Sequence, residues 1–167
     1  MRAINPDMNN RRHNIAPLLI LTVAMILSCC SRQTIYSHYE STGSDGWSRN
    51  DSLLFEVGPV RDSGLYEEQL ELRLTDAYPF TNIAVIVSSQ TLPGGPLHTD
   101  TLQLTVADEQ GHTKGQGTLH QLFHLPLGVQ YLKQDQKLRV CVRHYMTQHT
   151  LPGITDVGLT VKMKGER

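Results

Sequence analysis

Through most of its length the chain alternates between apolar and polar positions. Leu53, Phe55 and Val57 sit two apart, and Leu70, Leu72 and Leu74 interleave with Gln69, Glu71 and Arg73. Leu102, Leu104 and Val106 interleave with Thr101, Gln103 and Thr105; Leu138, Val140 and Val142 repeat the pattern, as do Val157, Leu159, Val161 and Met163. A period of two sends successive side chains to opposite faces of a strand, so each segment is expected to have one dry and one wet face. Glu71 is placed on a wet face by this reading, where alanine should be near neutral. Ile83-Ala-Val-Ile-Val87 is apolar throughout and predicts a strand covered on both sides. The segments are separated by turn chemistry: Val57-Gly-Pro59, Tyr78-Pro79, Leu92-Pro-Gly-Gly-Pro96, Asp108-Glu-Gln-Gly111 and Leu151-Pro-Gly153. No segment sustains a 3.6-residue period with caps, and Tyr131 to Lys137 offers at most a short helical turn. Six or more short strands at this spacing predict an all-β protein, a single antiparallel β-sandwich of jelly-roll or Ig-like type.

The N-terminal region obeys a different pattern. Arg11 and Arg12 precede an apolar run from Ile15 to Leu27, broken only by Pro17 and Thr22. The run falls short of the roughly 20 apolar residues that cross a bilayer and has the length of a signal-peptide core. It ends in Leu27-Ser28-Cys29-Cys30, which resembles a bacterial lipobox: aliphatic residues, a small residue, then the cysteine that becomes the acylated N-terminus. Cys29 is the expected lipidation site because Ser28 supplies the small side chain before it. Cys30 fits less well, with Cys29 in that position. An ordinary secretory peptide with a free cysteine just inside the mature chain is the competing reading. Diacyl and amide-linked chains, at about 0.8 kcal/mol per buried CH2, would anchor the protein stably. The arginine pair lacks the further residues of a twin-arginine signal. Residues 1–28 are thus read as a lipoprotein signal peptide and residues 29–50, polar and carrying Gly43 and Gly46, as a lipid-anchored tether. The sandwich is expected over 51–167.

Charge and cysteine content narrow the functional classes. A net charge of −1 gives no indication of a nucleic-acid partner. Two of three cysteines sit at the lipobox, leaving Cys141 without a disulfide partner and most simply a packed strand residue. His120 and His124 have ligand spacing, but nothing nearby completes a metal set, and a wet strand face explains them better. Gly111-His-Thr-Lys-Gly-Gln-Gly117 lacks phosphate-loop spacing and reads as a glycine-rich reversal. Asp76, Asp100, Asp108 and Asp156 stand beside turns or strand ends, where carboxylates accept backbone hydrogen bonds. No nucleophile motif is present, so an enzyme is not expected. Trp47, in Asp45-Gly-Trp-Ser-Arg-Asn-Asp51, is a candidate interface anchor; the competing role is a plug for one end of the core.

Several stretches, taken in order, resemble the gliding motility lipoprotein GldH family of the Bacteroidota. They are the lipobox, Ile35-Tyr-Ser-His-Tyr39, Gly46-Trp47, Leu72 to Ile83, Asp100-Thr-Leu102, Asp108 with Gly111, and Gly115 with Gly117. His144-Tyr-Met146 and Leu151-Pro-Gly-Ile-Thr-Asp-Val-Gly158 close the series. The resemblance implies a non-catalytic lipoprotein without cofactor, needed for gliding and linked through that machinery to type IX secretion. Its implied partners are the membrane, through the lipid, and proteins of the apparatus. Trp47, Tyr78 and Asp156 are the candidate contact residues. Surface-exported lipoproteins of the phylum tend to carry acidic residues after the lipid cysteine. Cys30-Ser-Arg-Gln-Thr34 has none, which implies an outer-membrane protein facing the periplasm. The alternative function is a glycan-binding envelope lipoprotein with a jelly-roll module. Its expected row of exposed aromatics is hard to assemble from a chain that is 6% aromatic.

Overall fold

The computed structural model describes residues 34–164; the signal-peptide run, Cys29 and Cys30 lie outside the described residues. Every regular element among the described residues is a strand. One four-stranded sheet contains β1 (Thr34–Ser41), β4 (Gly64–Leu74), β7 (Gln121–Leu132) and β10 (Ile154–Lys164). They lie in the order β1-β10-β4-β7. The second contains β3 (Leu53–Val57), β5 (Asn82–Leu92), β6 (Leu97–Thr105) and β8 (Lys137–His144), in the order β3-β8-β5-β6. A two-stranded ribbon pairs β2 (Trp47–Ser48) with β9 (Thr150–Leu151). All pairings are antiparallel. With the ribbon set aside, the eight long strands follow the order of a jelly roll, which settles the choice between jelly-roll and Ig-like sandwiches.

The leucine alternation builds the core. Leu70, Leu72 and Leu74 of β4 lie opposite Leu159, Val157 and Ile154 of β10, and all six are buried. Across the sandwich they face an apolar set that includes Phe55, Val57, Ile83, Val85, Leu138, Val140 and Val142, also buried. Glu68 shares the inner face with Leu70 and closes one side, where its carboxylate accepts a hydrogen bond from Gln130. Burial pushes that carboxyl above the ordinary glutamate range.

Four expectations need correction. The segment read as a tether is folded: β1 runs along β10 from Thr34, and Trp47 already pairs with Leu151. The tether reading failed because β1 is an edge strand with no apolar period to mark it; its two tyrosines pack from opposite faces. Ile83 to Val87 is not covered on both sides, since Ile83, Val85 and Val87 are buried while Ala84 and Ile86 are half-exposed. Tyr131 to Lys137 is the end of β7, a reversal and the start of β8, not a helical turn. Glu71 does not stand on a wet face. It is buried on the outer side of β4, for reasons given below. β7 itself escapes a period-two reading because Pro126 and Gly128 interrupt it. There the register with β4 shifts between Glu68 and Gln69, and an edge strand tolerates proline at such a bulge.

Candidate functional site

The sandwich has two unlike ends. At one, Thr34 pairs with Lys162, Gly64 with Leu132, and the backbones of Val60 and Gln136 are hydrogen-bonded. The other end is built by the β2–β9 ribbon, the turn from Thr75 to Tyr78 and the segment leaving β8. Glycine is required there twice. A Cβ on Gly46, at φ +106°, would lie 2.2 Å from the Leu151 carbonyl oxygen. One on Gly153, at φ +79°, would lie 2.3 Å from the Tyr78 nitrogen. These close approaches let the ribbon seal the core, with Thr75 N–H donating to the Gly153 carbonyl at 2.7 Å.

The three candidate contact residues occupy this half of the molecule, and only one reaches solvent. Trp47 is 0% exposed, so it is the plug rather than the interface anchor. Its ring meets His144 edge to face, with centroids 5.5 Å apart. Tyr78 is also buried; its hydroxyl donates to the Asn82 carbonyl at 2.8 Å and its ring packs on Phe80 at 5.5 Å. Burial pushes its phenol up, out of reach of physiological pH. Asp156 is half-buried on β10, 4.0 Å from Arg73.

Arg73 belongs to a polar cluster on the outer face of the first sheet. Its guanidinium carbon lies 3.8 Å above the Tyr39 ring, and the Tyr39 hydroxyl donates to the Glu71 carboxylate. His124, four residues on from His120, has its Nδ1 3.8 Å from the same carboxylate. The Tyr39 ring lies flat over Gly158, where a Cβ would come within 2.6 Å of it. This lid buries Glu71 on a face that alternation alone reads as wet.

Beside Trp47 lies a cleft of about 400 Å³ lined by Arg49, Arg143, His144, Tyr145, Met146 and Thr147. Each residue of His144-Tyr-Met146 has a distinct task. His144 packs under Trp47. Tyr145 N–H donates to the Ala84 carbonyl at 2.7 Å while its ring stays 66% exposed. Met146 Sδ accepts from Ala84 N–H at 3.3 Å, satisfying an amide that β8 no longer reaches. The Arg49 guanidinium donates to the Met146 carbonyl and fixes the rim. The Arg143 guanidinium has no hydrogen-bond or ion-pair partner among the described residues, and Trp47 Nε1 and His144 Nε2 are buried without one in hydrogen-bond geometry. The cleft therefore offers donors and positive charge beside an exposed aromatic. Such chemistry can hold carboxylates or free carbonyls of an extended peptide.

The family described as GldH lipoprotein matches residues 34–161, from the first residue of β1 to within β10. The chain belongs to the GldH lipoprotein family. Among named relatives, a gliding motility lipoprotein GldH of Flavobacterium johnsoniae is 27% identical, over 87% of this chain and 95% of the relative. A gliding motility lipoprotein GldH homolog of Christiangramia forsetii is 23% identical, over 87% of this chain and 93% of its own. The family and these relatives are named for a lipoprotein and for gliding, not for an enzymatic activity. Among solved structures, that of the Eiger TNF of S. frugiperda overlaps 67% of this chain and 66% of its own at 16% identity, with a TM-score of 0.32. In this GldH chain the stretches that carry the family resemblance come together at two places. Tyr39, Arg73, Asp156 and Gly158 form the outer-face cluster; Gly46, Trp47, Tyr78, His144 to Met146 and Leu151 to Gly153 form the ribbon end.

Burial beside Trp47 lowers the His144 pKa, aided by the nearby Arg49 and His149 charges and opposed by the carbonyls of His149 and Trp47. The folded state therefore holds a neutral imidazole, while the unfolded chain takes a proton at about pH 6.5. Stability from this residue is complete above that pH and declines as pH falls through it toward the depressed folded value. Melting curves recorded from neutral pH downward should show this acid sensitivity, and His144→Gln should flatten it. An unchanged slope would show that His144 is not the group being titrated.

Proposed function

We propose that this GldH lipoprotein is a lipid-anchored envelope protein acting as a non-catalytic subunit or assembly factor of the gliding motility and type IX secretion apparatus. Acylation at Cys29 tethers it, in this reading, to the outer membrane facing the periplasm. A partner protein is held at the ribbon end, in the cleft formed by Arg49, Arg143, Tyr145 and Met146. The observation that carries the reading is the family match across the whole sandwich, from Thr34 to Val161. An unpaired arginine and an exposed tyrosine on a rigid rim add the chemistry of a peptide or protein contact, with carboxylates as the complement. In this reading Trp47 and Tyr78 support that end from beneath, and Asp156 is a separate contact candidate beside Arg73 on the outer face of the first sheet.

Tagged protein recovered from native envelopes should bring apparatus proteins with it. Arg143→Glu and Tyr145→Ala should each weaken that recovery about tenfold or more, as loss of a central contact of 1.4 kcal/mol or greater does. Their melting temperatures should stay at the wild-type value. Deleting the gene should impair secretion of type IX cargo, and spreading where the cell glides. Normal secretion and motility in the deletion strain, together with binding of the purified protein to a polysaccharide, would overturn the proposal in favour of a glycan-binding role.

A further inference from the structure

The end of the sandwich opposite the ribbon carries a concentration of charge. Lys114 stands at the ribbon end, and the other four of the protein's five lysines, Lys133, Lys137, Lys162 and Lys164, stand at the opposite one. Arg61 joins them in the Gly58–Ser63 loop, which is bonded to the lysine-bearing turn: Val60 N–H donates to the Gln136 carbonyl at 2.9 Å, and Gln134 N–H to Ser63 Oγ at 2.9 Å. Only Asp62 and Asp135 offset this charge on the two connecting loops. Lys162 lies between Thr34 on one side and Glu67 on the other, so it faces one carboxylate, and Lys164 lies across from Leu65.

The outer face of the first sheet also bears exposed apolar side chains at this end. Leu65 pairs with Tyr131, and Glu67 with Val129. Leu65 is 47% exposed, Val129 45% and Tyr131 58%. Directly opposed residues share a face, so the row Lys164-Leu65-Tyr131 is a continuous stripe across three strands. A tyrosine and a leucine framed by lysines form the surface that partitions into a bilayer interface, with the rings at headgroup depth and the ammonium groups on phosphate.

The chain itself says what covers this surface. Four residues separate Cys29 from Thr34, and an extended chain spans at most about 18 Å over those five residue steps. With no long tether, an acyl group on Cys29 holds the basic end within reach of the headgroups. We propose that this end is a second membrane contact, in which Leu65 and Tyr131 enter the interface while Lys133, Lys137, Lys162, Lys164 and Arg61 bind the phosphates of anionic phospholipid. The inference rests on Cys29 as the acylated residue. It fixes the orientation of the domain, so that the Arg49–Arg143–Tyr145 cleft points away from the bilayer.

Lysine reactivity tests it on the mature lipoprotein in nanodiscs. One set contains phosphatidylethanolamine with phosphatidylglycerol, the other phosphatidylcholine alone. Acetylation of each lysine is followed by mass spectrometry, with Lys114 as the internal reference. Lys133, Lys137, Lys162 and Lys164 should react several-fold more slowly in the anionic discs than in the neutral ones, with the protection fading at high salt. Lys114 should react alike in both. Equal rates at all five lysines in anionic discs would overturn the proposal, as would equal protection in the neutral discs. Intact mass reports acylation independently. Protein found without acyl chains would defeat the Cys29 reading, and its co-sedimentation with vesicles of the same phosphatidylethanolamine–phosphatidylglycerol mixture would still decide this one, weakening about fivefold for each lysine changed to glutamine.

Discussion

Trp47→Ala will destabilise the domain by about 3–5 kcal/mol, the range for removing a large aromatic from a packed core. Trp47 is wholly buried, lies against His144, and belongs to the short ribbon that closes one end of the sandwich. Alanine leaves a void that the surroundings cannot fill, because Gly46 and Gly153 already bring backbones to the closest approach that lacks a side chain. The loss should appear as a lower denaturant midpoint with an unchanged slope. Its consequence for function is equally specific. A Trp47→Ala strain should lose the protein through unfolding and turnover, whereas Tyr145→Ala should lose partner binding with the protein still folded. If Trp47→Ala melted like wild type and still abolished partner recovery, the burial assigned to Trp47 would be wrong and the interface role would return.

How far the sequence carried this picture depended on where each strand lies. β3, β4, β8 and β10 are visible in the alternation because one face of each is pressed into the core and the other meets water or polar groups. β1 was hidden by its edge position: Tyr36 packs at the margin of the core and Tyr39 on the outer face, so its aromatics do not share a period. β7 was hidden by Pro126 and Gly128, which a bulge accommodates. The site residues show the same division. Asp45-Gly-Trp-Ser-Arg marks Trp47 as special, but no local pattern tells an anchor from a plug; that depends on Leu151 and His144, about a hundred residues away. Arg49 and Tyr145 carried no signal of their own. His144-Tyr-Met146 did stand out through the family resemblance, and the three distinct contacts of those residues give that stretch a physical reason.

Adjacent substitutions on β4 will separate the two kinds of burial in this sheet. Leu72→Ala, on the inner face, should cost about 2–5 kcal/mol through the cavity it leaves among fully buried neighbours. Glu71→Ala, one residue earlier and on the outer face, would be near neutral on an exposed strand surface. Here it removes the acceptor for the Tyr39 hydroxyl and the carboxylate beside His124, under a ring pinned between Gly158 and Arg73. Stranding the donor should cost about 1–3 kcal/mol. Tyr39→Phe with Glu71→Ala should recover part of that loss, since the unpaired hydroxyl is then gone, and the double-mutant cycle measures the coupling directly. A neutral Glu71→Ala would show that the outer face is wet after all and that Tyr39 does not seal it. A loss equal to that of Leu72→Ala would place Glu71 in the core itself, against the register that pairs it with Gly158 and His124.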